Sequence, residues 1–291
     1  MRIFEPHAHM TSRTTDDYEA MAAAGVKVIV EPAFWLGQPR THVGTFLDYF
    51  DGLLGFERFR AGQYGIKHFC TMGLNPKEAN DDRVRDGVIN ALPRYLEKDG
   101  VVAVGEIGFD SMTAAEEDVL RIHLALAEEH DLPALVHTPH RDKLAGTRRT
   151  MEIVEESGVP PERVLVDHNN ELTVGEVAVT GCYVGFSIYP NTKMDEDRMV
   201  RILQEYGTER VILNSACDWG QSDPLKVRKT ADRMLAAGFT DDEVDKVVWR
   251  NPVAFFSQSG RLELDETADL AADPAATYAG NSLLRGGPAK A

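Results

Sequence analysis

Residues 133–168 read PALVHTPHRDKLAGTRRTMEIVEESGVPPERVLVDH. A short β-branched run, Ala134–His137, precedes a helical segment, Lys143–Ser157, with Gly158 just past its end. A second short apolar run, Val164–His168, follows. Strand, helix and strand in this order make a βα unit whose strands run parallel. Both runs end in a histidine where the chain turns from strand to loop.

The alternation continues in both directions. Further strand-like runs fall at Arg2–Pro6, Val26–Glu31, Ile66–Met72, Val101–Glu106, Tyr183–Ser187 and Val211–Ser215. Helical patterns separate them at Thr15–Ala24, Arg83–Glu97, Thr113–His130, Glu196–Tyr206 and Leu225–Ala237. Eight βα units fit a closed (β/α)8 TIM barrel better than an open doubly wound sheet. No glycine-rich fingerprint follows the first strand, so a dinucleotide-binding fold has little support. Thr14 or Thr15 can cap the first helix, and Gly25, Gly100, Gly158 and Gly238 follow helical runs as C-terminal glycines do.

We place the barrel at residues 1–260, with a long insertion at 32–64 after strand two and a C-terminal extension at 261–291. The insertion carries PAFWLGQPR and the amphipathic stretch THVGTFLDYFDGLLGFERF. Lying on the catalytic side of a barrel, it either covers the mouth or adds a helix that packs on the outside. The extension is rich in Ala and Gly and is expected to pack on or near the barrel.

Asp and Glu number 47 against 31 Lys and Arg, giving a net charge of −16. Such a surface repels nucleic acid and anionic membrane at long range, although bound divalent metals reverse the field locally. No stretch approaches the roughly 18 apolar residues that span a bilayer, and MRIFEPHAHM lacks an apolar signal core. A cytoplasmic protein is expected. Cys70, Cys182 and Cys217 are odd in number and too far apart for a CxxC-type motif, so free buried thiols are expected.

His7 and His9 lie two apart, so on a strand they face the same side and can grip one metal. Alone, such a pair is a weak signal. The other strand ends strengthen it: VVAVGEIGFD leads through Glu106, PALVH ends at His137, RVLVDH ends at His168, and RVILNSACDWG leads into Asp218. Barrel enzymes place their chemistry at this rim, from several different strands. Six such polar groups in a barrel mouth without an ion would also cost stability, which argues against a purely structural scaffold.

In this order, strands one, four, five, six and eight resemble the amidohydrolase superfamily, and GEIGFD around Glu106 looks like the TatD-related hydrolases. The resemblance spans about residues 2 to 260 and includes NPVAFF at Asn251–Phe256. EPAFWLGQPR and GNSLLRGG also look like a subgroup from bacterial Ebo-type gene clusters. The resemblance implies that His7, His9 and Asp218 hold one divalent metal, that His137 and His168 hold a second, and that Glu106 bridges them. Four imidazoles with carboxylates suit zinc, manganese or iron, with magnesium possible. Two such ions roughly 3.5–4 Å apart share a water and lower its pKa toward about 7, making a bridging hydroxide nucleophile. Asp218 would then accept and return a proton.

The chain departs from the family at substrate-facing places. Gly73-Leu74-Asn75-Pro76 stands for GIHP, Asn169-Asn170-Glu171 follows His168 instead of Cys-Phe-Ser-Gly, and Asn214-Ser215-Ala216-Cys217-Asp218 replaces E-T-D. We therefore expect a small-molecule substrate with a phosphoester, ester, lactone or amide bond. The alternatives are a metal-dependent 3′–5′ exodeoxyribonuclease and a non-hydrolytic metal-binding barrel in a biosynthetic pathway. Candidate substrate contacts are His140, Arg141 and Arg40 for anionic groups, Trp35 with Phe34 as an apolar wall, and Asn169. Glu5 is expected to orient a histidine ligand, His68 to pack inside strand three, and His123 and His130 to lie on a helix surface.

Overall fold

A computed structural model describes residues 1–264. Eight parallel strands pair in sequence order: β1 (Ile3–Glu5), β2 (Val26–Pro32), β3 (Lys67–Met72), β4 (Val101–Gly108), β5 (Ala134–His137), β6 (Val164–Asp167), β7 (Tyr183–Ser187) and β8 (Val211–Asn214). Past β1 and β8 the chain exits bond to each other: Ala216 N–H donates to His7 O at 2.9 Å and His9 N–H to Cys217 O at 2.7 Å. These bonds bring the sheet almost full circle. With helices between successive strands, the architecture is the expected (β/α)8 barrel.

The strand runs are short and apolar because both faces are covered. Phe4, Val28, Val30, Phe69, Val102, Leu135, Leu165 and Ile212 form one buried cluster with Trp249, Phe255 and Phe256. Residues from strands on opposite sides of a barrel can meet only in its interior. The NPVAFF segment is the helix Asn251–Phe256, whose aromatics plug this end: Phe4 stacks on Phe256 with centroids 5.7 Å apart. Each such side chain contributes about 1.5–3 kcal/mol on burial. Leu262 and Leu264 pack against the same cluster. The remaining extension, including GNSLLRGG, lies outside the described residues.

The 32–64 segment resolves between its two expected roles. Val43–Gly52 is a helix that continues through a π-turn, Leu53–Glu57, into a second helix, Arg58–Gly62. Phe46, Phe50 and Leu53 are buried in the layer between barrel and helices. The segment therefore serves as the helix connecting β2 to β3, and only Phe34 and Trp35 in the loop before it reach the mouth. Thr14 caps the first helix with Asp17 in a reciprocal box.

His123 is not on the surface. It is fully buried: its Nε2 accepts from Leu74 N–H at 3.0 Å and its Nδ1 pairs with Val119 O at 2.7 Å. Burial pushes its pKa down to about 4. His68 packs as expected, against Glu31 at 2.9 Å. Glu31 also accepts from the Thr11 amide (2.8 Å) and hydroxyl (2.7 Å), fixing the turn that follows His9. Among the described residues, no helix is long and apolar enough to cross a membrane.

Candidate metal centre

The C-terminal ends of the strands open into a cavity of about 470 Å³. His7, His9, Glu106, His137, His168 and Asp218 all line it. The β5–β6 register sets His137 beside Asp167, and Gly108 beside His137 on β4 and β5. A Cβ on Gly108 would lie 2.1 Å from His137 O, so glycine permits this close pairing next to Glu106.

Glu106 is the hub. Its Oε1 is 2.9 Å from His137 Nδ1, 3.0 Å from His168 Nε2 and 3.7 Å from His7 Nε2. Its Oε2 accepts from Asn75 Nδ2 at 2.9 Å, so Asn75 of the departed GIHP motif supports the hub. Burial opposes ionisation of Glu106, but His137 and His168 outweigh it and hold the carboxyl well below the usual carboxylate range. His7 Nε2 and His9 Nε2 face each other at 3.0 Å. His9 stacks on Phe34 with centroids 3.5 Å apart, and its buried Nδ1 has no partner among the described residues.

A second set of residues orients these rings. His7 Nδ1 meets Asp167 Oδ2 at 2.7 Å. Asp167 is fully buried and also accepts from Asn214 Nδ2 (3.0 Å to each oxygen) and the His168 amide (2.7 Å). Burial raises its pKa, but the His168 and His7 rings outweigh burial and keep it ionised. A Cβ on Gly185 would lie 2.5 Å from Asp167 Oδ1, so β7 makes room for the acid with glycine. His168 Nδ1 lies 2.6 Å from Ser187 Oγ. Glu5 does something other than expected. It hydrogen-bonds to no imidazole among the described residues, and instead accepts the backbone amides of His7 (3.2 Å) and Ser215 (3.1 and 3.2 Å), locking β1 to the β8 exit. Burial, only partly offset by those amides, raises its pKa to about 7.

These residues fit a divalent metal. With Nδ1–H given to Asp167, His7 turns an Nε2 lone pair to the mouth, and His168 would do the same with Nδ1–H given to Ser187. His7, Glu106 and His168 each offer a ligand atom, all within 4.8 Å of one another. Converging imidazole lone pairs around a buried carboxylate are a donor set for zinc, manganese or iron.

Asp218 lines the same cavity, half-buried, beside rather than inside that tight group. Its Oδ1 accepts from Tyr189 O–H (2.8 Å) and Gly220 N–H (2.7 Å), and Arg13 donates to its carbonyl (2.9 Å). Trp35 and His140 also line the cavity. Three expected substrate contacts do not. Arg40 is spent on Glu78 (2.7 and 2.8 Å) and Phe34 O (3.0 Å), so it clamps the loop that carries Trp35. Asn169 donates to Val166 O (2.7 Å) and accepts from Thr173 Oγ1 (2.9 Å), inside the fold. Arg141 is exposed and lies outside the cavity lining. Sequence reading missed Asp167, Ser187, Tyr189 and Lys193. Asp167 alone carried a signal: an acid ending an apolar strand.

Barrel, site and relatives together mark a metal-dependent hydrolase. A family model described as TatD related DNase matches residues 5–257, and the chain belongs to this family. A metal-dependent hydrolase of Methanocaldococcus jannaschii is 26% identical over 257 residues, covering 87% of this chain and 99% of that protein. The crystal structure of a TatD-like protein from Archaeoglobus fulgidus is 28% identical with TM-score 0.74, covering 87% of this chain and 99% of that one. A phosphotriesterase homology protein of Escherichia coli, with phosphate in its active site, shares the fold at 17% identity and TM-score 0.66, covering 88% of this chain and 98% of that one.

Proposed function

We propose that this barrel is a dinuclear hydrolase that cleaves a phosphoester, ester, lactone or amide bond of a small molecule. The observation that carries the reading is the Glu106 carboxylate, with histidine nitrogens from β5 and from the exits of β1 and β6 within 3.7 Å of one oxygen. His7, His9 and Asp218 would hold one ion, His137 and His168 the other, and Glu106 would lie between them. Two divalent ions bound there supply Lewis acidity and lower the pKa of water toward about 7. Asp167 and Ser187 keep His7 and His168 in the ligating tautomer. Asp218, fixed by Tyr189 and Gly220, is placed to accept and return a proton at its carboxylate. Phe34 and Trp35 give the mouth an apolar side.

The cavity volume is that of a small-molecule site. Several of the basic residues that a nucleic acid would need already face carboxylates: Arg58 on Asp99, Arg60 on Glu57, Arg148 on Glu176 and Arg149 on Glu117. With a net charge of −16, this disfavours exonuclease action. The three cysteines are free and buried, which accords with a reducing, cytoplasmic setting.

The test is a panel of phosphomonoesters, carboxyl esters, lactones and amides beside single-stranded DNA, with manganese or zinc and again after chelation. We expect chelator-sensitive turnover of at least one small-molecule class. Faster release of nucleotides from DNA than turnover of any small molecule would overturn the substrate assignment.

A further inference from the structure

Lys193, in the loop after β7, lines the cavity with its ammonium 3.1 Å from His168 Nδ1. Its backbone is pinned. The amide donates to Tyr189 O at 3.3 Å, and the carbonyl accepts from Arg198 at 2.6 Å. Arg198 is itself clamped by Glu171 at 2.8 and 2.7 Å.

Among the described residues its ammonium forms no ion pair. The other cations nearby are occupied. Lys77 pairs with Asp110 at 2.9 Å, and Lys143 is bound to Thr138 Oγ1 at 2.6 Å and its carbonyl at 3.2 Å. Its one hydrogen-bond partner among the described residues is His168 Nδ1, and this atom already has Ser187 Oγ at 2.6 Å. The Tyr189 ring lies 5.7 Å from the ammonium, and Asp167, Glu106 and Asp218 favour its charge without pairing with it. A His168 that ligates through Nε2 carries its proton on Nδ1. That N–H donates to Ser187, and Lys193 then faces a donor with a donor. A half-buried ammonium without a hydrogen-bond acceptor keeps donors to spare, and a ligand anion in the mouth can take them.

We propose that Lys193 is the receptor for an anionic group of the substrate, a phosphate or carboxylate, seated in the mouth beside His140 and the His168 side of the centre. The inference rests on the metal-centre reading, because ligation is what frees Lys193 from His168. His140 lines the same side, with its ring 6.2 Å from that of His168.

The test is calorimetric titration of inorganic phosphate into the wild-type protein, Lys193→Met and Lys193→Arg, with bound metal measured on the same samples. Loss of a charge-assisted contact is expected to weaken phosphate binding about 10- to 100-fold in Lys193→Met. Lys193→Arg is expected to restore most of it, and all three should carry equal metal. Equal phosphate affinity in Lys193→Met and wild type would overturn the proposal. So would a fall in metal content in Lys193→Met, which would make Lys193 a positioning residue for His168. A wild type that binds no metal would condemn the metal centre, and the metal assay alone reveals that. In that protein the premise that ligation frees Lys193 falls with the metal centre, whereas bound metal with equal phosphate affinity in Lys193→Met and wild type overturns the receptor alone.

Discussion

Glu106→Gln is expected to lower kcat/KM about a thousandfold or more, the largest effect of any single change in the mouth. Three histidines converge on one Glu106 oxygen, and a neutral amide there removes the only charge they share. Transition-state stabilisation by metal is worth several kcal/mol, and each 1.36 kcal/mol is tenfold in rate. The amide keeps the shape and can still meet Asn75, so the fold should survive with unchanged circular dichroism. Glu106→Asp keeps the charge but withdraws it by one methylene, and should retain intermediate metal and activity. A Glu106→Gln enzyme within tenfold of wild type would show that Glu106 is not the hub.

Asp167→Asn comes second, through two separate quantities. It removes the acceptor that fixes the His7 tautomer, and losing such a partner typically costs 10- to 100-fold in metal affinity. It also breaks a buried charged network with His7 and Asn214, at about 3 kcal/mol of stability. The pH dependence has a defined sign. The folded-state pKa of Asp167 lies below the unfolded value, so its contribution is fully present above about pH 4 and is lost as pH falls below that. In metal-free protein, the difference in unfolding free energy between wild type and Asp167→Asn should therefore shrink as pH drops from 5 to 3. A difference that is flat with pH, or metal affinity equal to wild type, would contradict the role given to Asp167.

The barrel was legible because its strands are buried on both faces and read as short apolar runs, such as VLVD and VILN. His7, His9, Glu106, His137 and His168 were legible for a related reason: each follows such a run, where polar side chains need a purpose. What the sequence hid is long-range pairing. His7 and Asp167 are 160 positions apart, and nothing local announces that they meet. Lys193 and Tyr189 come from an irregular loop with no periodicity to read. Arg40 and Asn169 look functional as residue types, but Glu78 and Thr173 consume them. His123 was misplaced because a polar residue on an amphipathic helix usually faces water, whereas here it caps the Leu74 amide.

The most direct test of the central claim is elemental analysis of the purified protein beside a His7→Ala, His9→Ala double variant. About two transition-metal equivalents per chain are expected, falling in the variant. No bound metal in the wild-type protein, even after incubation with manganese or zinc, would contradict the claim.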